Sequence, residues 1–322
     1  MFEYFLGFDP YRVTHTFSYV SRDALIGYFQ KNNISYTFNI NDDFKMAIVP
    51  SGMDYFSFYA ALQKKSVKVG VIANSNMSDF QFKRTKKGPI LTLSLDAINY
   101  YRKADELILF FDSQKEFLKQ QKIETPIRMF PLATNDYTSS LSQNQKDAFL
   151  RYYQLNGKRE IIVSYGILTS KETVNDLRAV AMNSPEKDFL FFGDIAPDAM
   201  KQKMLESITG PKNIRFLHHL PEELYPSFLY NTKRLLLVGD YLSFPQIMID
   251  CIYHGIPLIT YKMDGFREIL NDNDAHITKL YSSLYDVINK PIDSNKIQSA
   301  KNTLERLKSS ALNTNIEKTT IL

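Results

Sequence analysis

The chain has one cysteine, and it lacks several sequence motifs that identify common protein functions. A single cysteine excludes an internal disulfide and suits a reducing compartment. The sequence contains no Cys/His cluster with zinc spacing, and neither a Walker nor a dinucleotide-binding glycine fingerprint. It also lacks an apolar run of the ~20 residues that a membrane-spanning helix needs. We therefore expect a cytoplasmic protein without a metal or another resident cofactor.

The composition is that of a globular protein. Of the 322 residues, 44% are hydrophobic and 23% are charged, so the chain can bury sizeable cores. This length suits two domains of roughly 150 residues each. The net charge of +4 is mild. It permits contact with an anionic membrane surface but does not indicate a nucleic-acid partner.

Apolar runs alternate with amphipathic segments along both halves of the chain. The predicted strands span residues 3–8, 34–38, 46–50, 67–73, 107–111, 127–132, 160–165, 188–192, 214–218, 234–238, 256–261 and 276–278. The predicted helices span residues 17–31, 55–64, 91–103, 114–121, 173–182, 197–208, 222–230, 246–254, 266–270 and 296–312. This alternation predicts an α/β protein whose parallel sheets are covered on both faces. The polar stretch 136–156 predicts an interdomain connection followed by a short helix, with domains at 1–136 and 137–322.

The stretch 242–257, Leu-Ser-Phe-Pro-Gln-Ile-Met-Ile-Asp-Cys-Ile-Tyr-His-Gly-Ile-Pro, carries the most information. An apolar strand leads into it, Pro245 suits the first helical position, and Gly255 suits a helix stop. The unit is therefore strand, loop, short helix, strand. Free backbone N–H groups at such a helix start favour an anion.

This spacing resembles the donor-site signature of retaining, family-4-type glycosyltransferases with the GT-B fold. Phe244, Asp250, Gly255 and Pro257 fall in register with that signature. Leu242 stands where the family has its first glutamate, and Asp250 replaces the second. The resemblance implies two doubly wound Rossmann-like domains facing across a cleft, with the last helix, 296–312, returning toward the first domain.

The resemblance also implies a nucleotide-sugar site, most simply for a UDP-sugar, formed by Gly166, Ser243, Phe244, Pro245, Gln246, Asp250 and Lys262. Asp250 would hold the ribose hydroxyls, its alternative being an acid on a helix surface. Lys171 and Lys262 would stabilise the diphosphate as it leaves, together with backbone N–H groups around Gln246. The alternative for Lys171 is an exposed loop lysine. Ile167 does not fit, because an aliphatic side chain cannot bind phosphate.

Two residues of the first domain join Lys171 as catalytic candidates. Asn74 follows a strand where the family has a histidine, and it can hydrogen-bond a sugar but cannot act as a base. His15 lies in a neighbouring loop and would either substitute for that histidine or have no function.

Residues 100–107 and the pair Phe244-Pro245 look like bacterial diacylglycerol and glycolipid glycosyltransferases. The basic residues that precede an apolar run are Lys83, Arg84, Lys86 and Lys87. Such a cluster can dock on anionic lipid. Its alternative is a solvated basic loop before a core helix.

These observations favour a metal-independent enzyme that moves a sugar, with retention, from a nucleotide sugar to a lipid or cell-envelope glycan. It would work at the inner face of the plasma membrane, alone or as a homo- or hetero-oligomer. The alternative is a non-catalytic GT-B protein that binds a glycan or a partner glycosyltransferase. Leu242, Ile167 and the absent histidine support that alternative.

Overall fold

The computed structural model of the chain describes residues 1–7, 16–51, 55–73, 79–85, 88–109, 112–129, 134–168, 170–195, 210–217, 220–238, 246–261 and 270–316. The chain divides into two compact units. The first consists of Met1–Asn135 with Arg306–Leu322, and the second of Asp136–Glu305. Within the ranges given above, no helix is long and apolar enough to cross a membrane.

The first unit is built on a parallel six-stranded sheet. In chain order it contains β1 (Phe2–Leu6), α1 (Thr16–Lys31), β2 (Tyr36–Thr37), β3 (Phe44–Pro50), α2 (Tyr55–Leu62), β4 (Lys68–Ile72), β5 (Phe80–Thr85), β6 (Gly88–Leu93), α3 (Leu95–Lys103), β7 (Glu106–Leu109), α4 (Asp112–Gln120) and β8 (Ile127–Met129). The sheet order is β2-β1-β3-β4-β7-β8. Its central strand β3 carries three successive residues with no exposed surface, Ala47, Ile48 and Val49. Such a strand is covered on both faces, as predicted for a parallel sheet.

Strands β5 and β6 form a separate antiparallel hairpin, which corrects the prediction of a helix over 91–103. The helix α3 begins only at Leu95, because Ser94 has extended backbone angles and its Oγ accepts the Ala97 backbone N–H at 3.2 Å. Ser94 is therefore the N-cap of α3, and an N-cap residue marks where a helix begins. Apolar residues before this cap belong to a strand.

The second unit is built on another parallel six-stranded sheet. In chain order it contains α5 (Gln143–Lys146), α6 (Ala148–Tyr152), β9 (Glu160–Leu168), α7 (Lys171–Met182), β10 (Lys187–Ile195), β11 (Ile214–Leu217), a 3-10 turn (Glu222–Leu224), α8 (Tyr225–Asn231), β12 (Thr232–Val238), α9 (Gln246–Tyr253), β13 (Leu258–Tyr261), β14 (His276–Thr278), α10 (Tyr281–Asn289) and the first part of α11 (Ser294–Ile316). The residues of α11 from Arg306 onward belong to the first unit. The sheet order is β11-β10-β9-β12-β13-β14. Every predicted strand overlaps a strand of the structure, whereas α10 was not predicted. The predicted helix 197–208 and residues 266–269 of the predicted helix 266–270 lie outside the described residues.

The polar stretch after residue 136 belongs to the second unit and contains two short helices, α5 and α6. Phe149 in α6 has no exposed surface and its ring meets Phe228 edge-on at 5.9 Å. Its backbone N–H donates to Ser227 Oγ at 2.9 Å. One buried aromatic residue is enough to anchor an otherwise polar segment to the core.

Candidate functional site

Two glycines lie side by side in the second sheet, and neither can carry a side chain. Gly166 in β9 pairs with Val238 in β12 and with Gly193 in β10. A Cβ on Gly166, whose φ is +147°, would lie 1.8 Å from the Val238 carbonyl oxygen. A Cβ on Gly193, whose φ is +135°, would lie 2.1 Å from the Gly166 carbonyl oxygen. The sheet therefore presents bare backbone near the carboxyl ends of these strands.

This bare backbone lies where the strand order reverses. From β9 the chain continues to β10 on one side, whereas β12 continues to β13 on the other. Parallel α/β sheets bind ligands at such a point, outside the carboxyl ends of the two diverging strands. The geometry therefore indicates a ligand site between the ends of β9 and β12.

Lys171 is brought to this edge as the first residue of α7, and its side chain is exposed. Ser170 caps the helix, with its Oγ accepting the Thr173 backbone N–H at 3.3 Å. The strand before it extends to Leu168 and not only to residue 165, so Gly166 lies inside a strand. The connection between this strand and the following helix is consequently shorter than the predicted bounds, 165 and 173, implied, and Ile167 belongs to β9.

Asp250 lies on α9 and has no exposed surface. Tyr225 OH donates to its Oδ2 at 2.8 Å, and Gln246 Nε2 donates to its Oδ1 at 2.9 Å. The alternative of an acid on a helix surface is therefore wrong. The ribose role stays a prediction, and it would require a nucleotide to enter this hydrogen-bonded group. Gln246 is itself 1% exposed and begins the helix.

The carboxylate of Asp250 shapes the chemistry of its neighbours. Burial, together with the negative charge of Asp250, raises the pKa of Tyr225 well above its ordinary value. Burial also raises the pKa of the Cys251 thiol, and Asp250 adds to that effect. Cys251 is buried, and a thiol that resists ionisation is a poor nucleophile.

The α9 helix ends as the sequence predicts. Gly255 has a φ of +74°, and the Ile256 backbone N–H donates to the Cys251 carbonyl at 2.8 Å. A left-handed residue after the last turn is the usual helix stop. Pro245, the expected first residue of this helix, lies outside the described residues. The described part of α9 starts at Gln246.

Tyr225 and Tyr261 are the contributors that sequence reasoning missed. Tyr225 reaches Asp250 from α8, and Tyr261 OH donates to Asp176 Oδ2 at 2.5 Å, joining the end of β13 to α7. These pairs are separated by 25 and 85 residues. No local pattern could have signalled them, because each contact depends on how the strands are ordered.

The corresponding edge of the first unit contains a different cluster. Asp79 is 2% exposed and its Oδ2 accepts hydrogen bonds from Ser51 Oγ and, at 3.0 Å, from Tyr101 OH. Ser51 directly follows β3. The sequence had indicated His15 and Asn74 for this unit instead. Both lie outside the described residues, so their catalytic role stays a prediction.

Four further predicted donor-site residues, Ser243, Phe244, Pro245 and Lys262, also lie outside the described residues, as does Leu242. Of the predicted set, the structure therefore places Gly166, Lys171, Gln246 and Asp250. Gly166 lies near the end of a strand, Lys171 and Gln246 begin helices, and Asp250 lies one turn into α9.

The structure also bears on metals. Among the residues with described positions, no group of three His, Cys, Asp or Glu could hold a metal ion. The Asp272-Asn273-Asp274 tripeptide forms a turn, and Asp274 Oδ2 accepts the Asn271 backbone N–H at 3.1 Å. Ser299 Oγ donates to Asp274 Oδ1 at 2.6 Å, so this carboxylate serves a structural role.

Two of the four predicted basic residues, Lys83 and Arg84, lie on strand β5 and not in a loop before a core helix, which corrects that alternative for them. Lys83 is exposed on β5, paired with Ile90 of β6, which is 45% exposed. Arg84 follows Lys83 on the same strand, and Lys86 and Lys87 lie outside the described residues.

Comparisons with known proteins give structural likeness only. No family model matches the chain, and no curated protein matches it. Among solved structures, Anabaena Alr3699/HepE in complex with UDP and glucose has a TM-score of 0.59 at 10% identity, covering 99% of both chains. A glycosyltransferase from Rickettsia africae has a TM-score of 0.56 at 13% identity, covering 98% of this chain and 97% of its own. Sucrose-phosphate synthase from Thermosynechococcus elongatus has a TM-score of 0.55 at 13% identity, covering 92% and 75%.

At such identities, a likeness over nearly the whole length shows a shared fold and not a shared activity. The two parallel sheets found here match that likeness. The chain has the GT-B fold, built of two Rossmann-like domains.

Proposed function

We propose that the protein is a glycosyltransferase that binds a nucleotide-sugar donor at the carboxyl edge of its second sheet. The observation that carries this proposal is the likeness to Anabaena HepE, which extends over 99% of both chains and whose structure holds UDP and glucose. Its support within the chain is the bare backbone of Gly166 and Gly193, which leaves room at the strand reversal.

In this proposal the donor's diphosphate lies near the start of α7. Lys171 supplies a positive charge there, and Lys262 supplies a second one from the segment after β13. Charge-assisted hydrogen bonds of this kind stabilise the departing nucleotide. Residues Ser243, Phe244 and Pro245 would line the sugar and uridine side of the site.

Asp250 would hold the ribose hydroxyls. A carboxylate has about four acceptor positions, so it can keep the Tyr225 bond while accepting from a ribose. The Gln246 side chain would have to give way, since it donates to the other oxygen. The donor would be a UDP-sugar and the reaction metal-independent, with retention of the anomeric configuration.

The acceptor would be a lipid or a cell-envelope glycan, bound by the first unit near His15 and Asn74. The hairpin residues Lys83 and Arg84, with Lys86 and Lys87 beyond them, would attach the enzyme to an anionic membrane from the cytoplasmic side. The exposed side chain of Lys83 suits that role, because each lysine or arginine near such a surface contributes about 1 kcal/mol.

Titration with UDP, GDP and UDP-glucose tests the proposal. At 100 times its dissociation constant, a ligand of the folded state should raise the free energy of unfolding by about 2.7 kcal/mol. We expect UDP to do so, and UDP-glucose to be slowly hydrolysed. Replacing Lys171→Met should weaken UDP about tenfold or more, since a charge-assisted bond is lost. Lys158→Met, at another exposed lysine of the same unit, should change nothing.

If no nucleotide shifts the unfolding transition, the enzyme proposal fails and the non-catalytic accessory role takes its place. That role predicts a partner chain that co-purifies with the protein. If UDP binds but Lys171→Met leaves its affinity intact, the diphosphate lies elsewhere.

A further inference from the structure

A pocket of about 510 Å³ lies wholly within the second unit, away from the strand reversal. Tyr253 and His254, at the C-terminal end of α9, form one side of it. Gln246 begins the same helix, so its eight residues place the pocket about 12 Å from the start of α9. A pocket of this size accommodates a small organic molecule.

One wall is the segment that begins the unit, held against α9 by His254. The backbone N–H of Tyr137 donates to His254 Nε2 at 3.5 Å, and Thr138 Oγ1 lies 3.2 Å from His254 Nδ1. Asp136 Oδ1 accepts the backbone N–H groups of Thr138 and Ser139 at 3.1 and 3.0 Å. Hydrogen bonds from Ser139 and Thr138 lower the pKa of Asp136. This wall therefore presents an ionised carboxylate in a fixed position.

The other wall is the part of α11 before Arg306, which belongs to the second unit. It contributes two charged residues, Lys301 and Glu305, and one apolar residue, Leu304, which is only 2% exposed. The ammonium of Lys301 lies 3.2 Å from where a Cβ on Gly255 would be. The glycine that ends α9 thus also leaves room for this lysine.

The lining narrows the class of ligand. Although Asp136, His254 and Glu305 all line the pocket, no group of three His, Cys, Asp or Glu in the described part of the chain could hold a metal ion. An anion would meet two carboxylates and one ammonium. An apolar molecule would leave these charged groups desolvated at a high cost.

A neutral polyol suits this lining better. Each of its hydroxyl groups can both donate to a carboxylate and accept from an ammonium. Its C–H face can lie against an aromatic ring, and Tyr253 is 37% exposed at the rim. Sugars combine these two features.

We propose that the pocket formed by Asp136, Ser139, Tyr253, His254, Lys301 and Glu305 binds a neutral saccharide, as a site separate from the donor edge. This inference does not depend on the proposed function, because the pocket would serve an enzyme or a glycan-binding protein equally. A saccharide bound there would bridge the first and the last residues of the second unit.

Saturation-transfer NMR of the full chain with methyl α-glucopyranoside, methyl α-galactopyranoside and N-acetylglucosamine tests this site. We expect transfer to at least one of these sugars, and we expect it to persist when UDP is present in excess. Lys301→Met and Glu305→Gln should each weaken binding about tenfold. Tyr152→Ala, at a tyrosine 60% exposed elsewhere in the unit, should leave it unchanged.

Three results would overturn the site: no transfer to any of the three sugars, displacement by inorganic phosphate, or displacement by UDP. The last would identify the sugar's position as the donor edge. Glu305 is exposed, so Glu305→Gln should fold normally even if Lys301→Met does not. UDP affinity, measured separately, shows whether the proposed function stands or fails by itself.

Discussion

The two sheets have the same number of strands but differ at the strand where the order reverses. Counting only sheet strands in chain order, the first unit reads 2-1-3-4-5-6 and the second 3-2-1-4-5-6. The reversal therefore lies between β1 and β3 in the first unit, and between β9 and β12 in the second. Both orders belong to doubly wound folds, and both place a crevice at the reversal.

A glycine lies at or near the end of the first strand of each reversal, and its surroundings differ between the two units. Gly7 directly follows β1, and a Cβ there would lie 2.4 Å from Val49 Cγ1, the end of a side chain. Gly166 in β9 would meet the Val238 backbone oxygen at 1.8 Å, at a φ of +147°. A side chain can turn aside, whereas a strand backbone cannot. In the second unit, the backbone at the reversal therefore leaves no space for a side chain at Gly166.

The largest loss of stability should come from adding a Cβ at the glycine of the second reversal. Gly166→Ala should lower the free energy of unfolding by more than ~3 kcal/mol, because it combines a backbone clash with a strained φ. Gly7→Ala should cost less, since Val49 can adopt another rotamer at about 1 kcal/mol. Urea unfolding of both variants measures the two losses.

Gly157→Ala is the matched control within the second unit, because its Cβ would approach only Leu150 Cδ1, at 3.0 Å. That flexible side chain should keep the loss small. Equal losses for Gly7→Ala and Gly166→Ala would show that the two reversals are equivalent after all.

The second difference concerns two buried carboxylates, each bonded to a tyrosine hydroxyl. Tyr225 OH donates to Asp250 at 2.8 Å in the second unit, and Tyr101 OH donates to Asp79 at 3.0 Å in the first. Tyr225→Phe and Tyr101→Phe should each cost about 1.5–3 kcal/mol of stability, since each removes a charge-assisted bond. Only Tyr225→Phe should also weaken the binding of UDP, by about tenfold, as measured by calorimetry.

An alkaline titration provides the control for Tyr225. Its pKa is raised in the folded state by burial and by Asp250, so its contribution to stability is fully present below pH ~10 and is lost as the pH rises beyond. Stability should therefore fall less steeply in Tyr225→Phe than in the parent, by about 1.4 kcal/mol per pH unit. If UDP affinity falls equally in Tyr101→Phe, the nucleotide is not confined to the second unit.

The smallest effect concerns the β5–β6 hairpin of the first unit. Lys83→Gln and Arg84→Gln should each weaken sedimentation with phosphatidylglycerol vesicles by about 1 kcal/mol, roughly fivefold. Lys158→Gln, an exposed lysine of the second unit, should have no such effect. Vesicle binding that ignores all three changes would remove the hairpin from the membrane proposal.

The strands of both sheets could be predicted from the sequence because a strand buried on both faces leaves a continuous apolar run. The segment 235–238 is such a run, and its four residues have no exposed surface. The β5–β6 hairpin could not be predicted from the sequence, because the spacing of its apolar residues Ile90 and Leu93 also suits a helix. Its assignment depended on the cap at Ser94 and on pairing with β5.

The site was predicted in part, and for a clear reason. Gln246 and Asp250 lie on the helix that the sequence assigned to them, since helix starts and stops have local signals. Gly166 and Lys171 were predicted in a loop, and they lie instead inside β9 and at the start of α7. What surrounds Asp250 was not predictable. Its burial and its bond to Tyr225 come from a helix 25 residues earlier.

By itself the sequence determined the α/β alternation, the position of the helix stop at Gly255 and the resemblance of residues 242–257 to a donor-site signature. These follow from short-range rules of period, capping and spacing. The tertiary structure decided which strand neighbours which, and hence that Gly166 meets Val238 and Tyr225 meets Asp250. Strand order is set by the packing of many distant residues at once, which no local pattern encodes.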